Sequence, residues 1–230
     1  MTIPPRFPIE VETQTSVRSG YTRNPSPPSL CCVSHVLDLP RDLSLAATAF
    51  HESGHGLLAL LGGMNLSTVF VSAAPSAQRC PGPEMYETAG ANRDTDYGGR
   101  ELGLVLPMLA AGERTAQEWL RQNGLWTERR AWAAEVGSLD DQATAAYVLG
   151  ANGIPMLYGT GALLADYWHA GDLAAETVRH HWNRIERMAS GLLSQGQLTG
   201  DEIAALDGLE NPARSAAQDT ELPTCPPPCA

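Results

Sequence analysis

The strongest pattern of apolar and polar positions lies between residues 43 and 62. Leu45-Ala46-Ala47-Thr48-Ala49-Phe50 is an apolar, helix-forming stretch, and Leu58, Leu60 and Leu61 carry the apolar face onward. Asp42 or Ser44 can open this helix, and Gly62-Gly63 closes it. Residues 66–72 (LSTVFVS) are β-branched and short, which predicts a strand. Helical periodicity returns over 98–124, with Pro107 as a kink or break. A short helix is expected over 126–136, opened by Thr127 and Glu128. Another runs from an N-cap at Ser138 to about Leu149. Helices over 163–170 and 173–193 follow, then a turn and a short helix over 196–206. The expected fold class is mainly α, with a small strand region after the first helix.

Three stretches lack this order. Residues 1–40 carry scattered proline, serine and threonine and predict a flexible arm. Residues 73–96, with Pro75, Pro81, Gly82, Pro83 and Gly90, predict a long loop of the functional or mobile kind. The end is polar and proline-rich and predicts a disordered tail. The chain therefore divides into an arm (1–40), a folded unit (41–208) and a tail (209–230).

Composition narrows the partners. The chain has 230 residues, enough to bury a core without disulfides. Its net charge of −11 argues against nucleic acid and anionic membrane surfaces. All 15 basic residues are arginine. Cys31-Cys32, Cys80, Cys225 and Cys229 match no standard zinc spacing. No secretory leader and no run of eighteen apolar residues is visible, so a reduced, cytoplasmic protein without membrane insertion is expected.

The chemistry sits in the first helix. His51-Glu52-Ser53-Gly54-His55 is an H-E-x-x-H run. Residues four apart share a helix face, so His51 and His55 can grip one Zn²⁺ with Glu52 beside a water that the metal activates. A catalytic zinc usually takes three protein ligands. A metzincin would carry Gly and His where Leu58 and Leu61 stand, which excludes that family. A thermolysin-like site takes a Glu from a later helix, and Glu113 and Glu118 are candidates. Asp140 and Asp141 also read as ordinary acids in a helix first turn.

Four segments in order resemble one family. They are Ala49-Phe50-His51-Glu52-Ser53-Gly54-His55-Gly56, Gly112-Glu113-Arg114-Thr115-Ala116-Gln117-Glu118, Gly137-Ser138-Leu139-Asp140-Asp141 and Leu198-Thr199-Gly200-Asp201-Glu202-Ile203. Together they are similar to the peptidase domain of FtsH-like zinc metallopeptidases, the proteolytic halves of membrane-bound AAA proteases. The resemblance implies a helical zincin-like peptidase domain over 41–208, a peptide or unfolded protein as substrate, and Asp141 as third zinc ligand. With no Lys there is no Walker A motif, so the chain is expected to act as a stand-alone peptidase that does not hydrolyse ATP. The family's glycine-rich substrate strand is not recognisable after the first helix. Two functions follow as expectations: a zinc metalloendopeptidase with Glu52 as general base, or a zinc-binding, non-cleaving domain that docks on a partner protein. Association with a partner or as a homo-oligomer stays open. Trp126 and Trp132 are expected in the core, and His169, His180 and His181 are expected to face solvent.

Overall fold

The computed structural model describes residues 5–12, 17–27, 36–75, 86–93, 95–97 and 99–214. Among them are seven helices and five short strands, so the chain is mainly helical. Helix α1 (Arg41–Leu61) starts after Pro40 and stops at Gly62. Gly63 then adopts φ +69°, a left-handed turn that glycine enters without steric cost. Leu57, fully buried on α1, contributes about 1.5–3 kcal/mol by leaving water.

Helix α2 (Leu102–Gln122) lies against α1 at very short range. A Cβ on Gly54 would overlap the Thr115 hydroxyl and come within 2.9 Å of the Ala111 carbonyl. Glycine inside a helix costs about 1 kcal/mol; here it admits the neighbouring helix. Pro107 does not break α2, which runs on through it. Helices α3 (Glu128–Gly137) and α4 (Leu139–Ala151) follow. Thr127 caps α3 by accepting from the Arg130 amide. Ser138 stands at the start of α4, yet its hydroxyl donates back to the Ala134 carbonyl and caps nothing.

Helix α5 (Tyr167–His180) begins later than its apolar pattern predicts, because Asp166 caps it. The chain breaks at His181, and α6 (Trp182–Gln195) begins with Trp182 stacked on Phe50 at 5.3 Å. Helix α7 (Gly200–Leu206) carries a capping box between Thr199 and Glu202.

Two small antiparallel sheets complete the fold. Strands β3 (Thr68–Pro75), β4 (Tyr86–Arg93) and β5 (Gln197–Thr199) form one, in the order β4-β3-β5. Its apolar face, with Val69 and Leu198 buried, joins Leu57, Met64, Ile185 and Leu192 in the main core. The expected long loop over 73–96 is corrected: most of its described residues are strand, pairing from Thr68↔Arg93 to Pro75↔Tyr86. Strand β4 (YETAGANR) escapes a sequence reading because it carries almost no β-branched or aromatic alternation.

The other sheet corrects the expected flexible arm over 1–40. Strands β1 (Phe7–Glu12) and β2 (Val17–Thr22) form a hairpin. Ile9 is buried with Trp132, Val136 and Leu139 in a second core cluster. The Gln142 side chain pairs with the β2 backbone like a piece of strand, accepting from Tyr21 N and donating to Tyr21 O, both at 3.2 Å. Burial of an apolar face and satisfaction of backbone groups together outweigh the proline content. No helix among the described residues is long and apolar enough to cross a membrane.

Candidate metal centre

Helix α1 turns His51 and His55 to one face, four residues apart. Their Nε2 atoms lie 3.0 Å from each other. Asp141, in the first turn of α4, brings Oδ2 to 3.4 Å from His51 Nε2 and 3.3 Å from His55 Nε2. A tetrahedron with ~2.0–2.1 Å metal–ligand bonds has edges of about 3.3 Å. The three atoms therefore have the spacing of three corners of a metal coordination sphere, and this group could hold a metal ion. The surroundings are largely dry: the side chains of His55, His51 and Asp141 are 6%, 17% and 21% exposed.

Two further features fit an ion. The His55 Nδ1 lies 2.7 Å from the Met108 carbonyl. Donation there fixes the ring tautomer and leaves the Nε2 lone pair for a metal. Gly112 of α2 closes the cradle: a Cβ on it would fall onto His55 Nε2 and 2.5 Å from His51 Nε2. That Cβ would crowd the Nε2 atoms of both rings.

Asp141 is singled out by the way the first turn of α4 divides its side chains. Asp140 turns outward to Arg18 of β2 at 2.9 Å. Asp141 turns inward to the histidines, and Gln142 turns to Tyr21. The hairpin thus holds the residues on both sides of the third ligand. Glu113 and Glu118 stand outside the group. Glu113 is buried and paired with Arg114 at 3.4 Å, and Glu118 pairs with Arg121 at 3.6 Å.

Glu52 is 5% exposed and contributes no ligand atom to the group. Its carboxylate is enclosed by β4. Asn92 donates from Nδ2 to Glu52 Oε2 at 2.6 Å and to the Glu52 carbonyl at 3.2 Å. A Cβ on Gly90 would fall 2.6 Å from Glu52 Oε1. Thr88, on the same strand face, meets Thr48, whose hydroxyl donates to it at 2.7 Å. Residues 88 and 90 of β4 therefore follow residues 48 and 52 of α1, and a Cβ on Gly56, one turn further, would lie 3.6 Å from Asn92 Oδ1. Two strand residues advance about 6.7 Å and four helix residues about 6 Å, so the two repeats stay in step over this length. Periodicity gave no sign of Gly90 or Asn92. Gly112 did leave a signal, as a glycine inside an otherwise regular helix.

The electrostatics follow from burial and proximity. Burial alone would lower the His55 pKa, but the Asp141 carboxylate, with Glu52 and the Met108 carbonyl, pushes it up to about 9. Burial works to raise Asp141, yet the two imidazoles hold its carboxyl well below the usual range. Burial lifts Glu52 above the ordinary carboxylate value, against the pull of both histidines.

The remaining expected residues fall elsewhere. Trp132 is buried, whereas Trp126 is 39% exposed and covered by Arg121 at 5.6 Å. His180 is exposed and lies edge-on to the half-buried His181. His169 is half-buried, with a buried Nε2 that has no hydrogen-bond partner among the described residues. Cys31, Cys32, Cys80, Cys225, Cys229 and His35 lie outside the described residues. In comparisons with known proteins, no family model matches the chain and no characterised protein matches its sequence.

Proposed function

We propose that the chain is a zinc-dependent metalloendopeptidase, similar to the FtsH-like peptidases. One observation carries this reading: a His51-His55-Asp141 donor set at tetrahedral spacing stands beside a carboxylate, Glu52, that is not among the donors. Two imidazoles and one carboxylate suit zinc, and three protein donors leave a position for water or substrate. Zinc there would supply Lewis acidity, lowering the pKa of a water toward ~7 and polarising the scissile carbonyl. Glu52 would take the proton of the attacking water at a carboxylate oxygen and return it to the departing amine. Among the described residues β4 pairs only with β3. Its other edge suits an extended, unfolded peptide, which would add as a strand close to Glu52.

The test is chelator-sensitive cleavage of an unfolded casein-like substrate by the purified chain. Glu52→Gln is expected to keep about one zinc per chain and lose activity by about 10²-fold or more. Retained cleavage in that variant defeats the mechanism. The burial and occupation of Glu52 favour a second reading, a zinc-binding domain that docks on a partner without cleaving. It predicts zinc in the wild-type chain, no hydrolysis and a stable complex in pull-down.

A further inference from the structure

We infer that Asn92 is a positioning residue for Glu52, and that the register of β4 on α1 is what places it. The inference rests on the metallopeptidase reading. A carboxylate one residue from a metal ligand can turn about its side-chain bonds and miss the water by more than an ångström. Misplacement on that scale costs about 10²-fold in rate. Asn92 removes this freedom by binding the side-chain Oε2 and the backbone carbonyl of the same residue. One amide group thereby ties the carboxylate to its own main chain.

Gly90 completes the arrangement from the other side. Only a residue without a Cβ lets Oε1 come so near the strand. The pair sits two residues apart, on one strand face. A slip of β4 by one residue would reverse every side chain and withdraw both. The β3–β4 pairing from Thr68↔Arg93 to Pro75↔Tyr86 fixes that register; the Thr48–Thr88 hydrogen bond, one helical turn before Glu52, joins the same helix and strand without touching the carboxylate. Asn92 Oδ1, meanwhile, is buried and has no hydrogen-bond partner among the described residues. An unsatisfied acceptor costs about 1–3 kcal/mol. Tolerating it in this amide is understandable if the group is held for its donor end.

The experiment compares wild type, Asn92→Ala, Asn92→Leu and Thr88→Ala as zinc-loaded full chains. Three quantities are read: bound zinc, affinity for acetohydroxamate by calorimetry, and kcat and KM on an unfolded substrate. A hydroxamate binds the metal and donates its O–H to the neighbouring carboxylate, so it reports the position of Glu52 without turnover. Both Asn92 variants are expected to hold zinc within about twofold and to bind hydroxamate about tenfold more weakly. They should lose about 10–100-fold in kcat with KM within about twofold. Thr88→Ala should match wild type within about twofold in all three. The near-isosteric Leu variant guards against a fold lost through a cavity. Asn92 variants that bind hydroxamate and turn over like wild type overturn the inference. If the wild-type zinc form hydrolyses nothing, the peptidase reading fails and the hydroxamate comparison alone decides Asn92. A wild-type chain that takes up no zinc overturns both.

Discussion

Gly112 stands so close to His51 that a Cβ on it would come within 2.5 Å of the ring Nε2. The absence of a side chain on α2 is thus what leaves room for an ion on α1. Gly112→Ala puts a methyl group in that room. Intrinsic helix propensity favours the substitution by about 1 kcal/mol, so the helix itself is not weakened. The expected outcome is a folded chain whose bound zinc falls at least tenfold, read by elemental analysis beside a circular dichroism melt.

Asp140 and Asp141 are neighbours with opposite fates. Asp141→Ala removes a corner of the donor set and should lower zinc affinity by about 10²-fold. Asp140→Ala breaks only an exposed ion pair with Arg18, worth about 0–1 kcal/mol, and should bind zinc normally. Zinc titration against a competing chelator separates them. Unchanged affinity in Asp141→Ala would move the third ligand elsewhere.

Metal uptake should release protons. The metal-free triad holds a proton on His55, whose pKa is pushed up to about 9. Zinc must displace it, so apparent affinity is expected to rise with pH until about pH 9 and then level off. The check is zinc affinity measured at pH 6.5, 7.5 and 8.5. A flat profile would mean that His55 is already deprotonated.

Glu135 couples the hairpin to pH. Its carboxylate accepts from Arg23 N, Asn24 N and Asn24 Nδ2, which tie the chain just after β2 to α3. Burial first, and then the nearby Glu113 carboxylate, pushes it up to about 7. Between its ordinary value of 4.5 and about 7 the folded state holds a proton that the unfolded state has lost. Stability therefore falls as pH rises through that window, by about 3 kcal/mol. Glu135→Gln should flatten the slope, and at pH 8 it should be at least as stable as wild type. Urea unfolding at pH 5.5 and pH 8 measures both.

Asp166 anchors the turn before α5. Its carboxylate accepts from the amides of Gly159, Thr160, Gly161, Trp168 and His169 and from the Thr160 hydroxyl. Burial opposes ionisation, but these donors hold the pKa below the ordinary value. The contribution is complete above the ordinary carboxylate pKa and is lost as pH falls through the lowered one. Asp166→Ala strands several donors at once and should cost about 2–4 kcal/mol at neutral pH, seen by denaturant unfolding.

The sequence made the helix with the candidate metal donors legible because a four-residue spacing puts His51 and His55 on one helix face. It could not separate Asp141 from Asp140 by spacing, since both are first-turn acids and differ by a rotation of about 100°. Tertiary contact decides, through Arg18 and Tyr21 of a hairpin whose alternating Phe7, Ile9 and Val11 were obscured by nearby prolines. Strand β4 was hidden for a different reason. Its inward positions, Thr88, Gly90 and Asn92, are chosen to fit a helix, and the usual marks of a strand are missing.

The hairpin also changes where this molecule can be cut. Strand β2 grips the first turn of α4 on either side of Asp141, through Arg18 to Asp140 and through Tyr21 to Gln142. A fragment starting at Arg41 would retain both histidines and the aspartate in its covalent chain, yet it would lose the brace on either side of that aspartate and keep only the packing of α4 on α2 and the main core. A piece that keeps this brace must therefore include β2 and its partner β1, well before the first apolar helix announces itself.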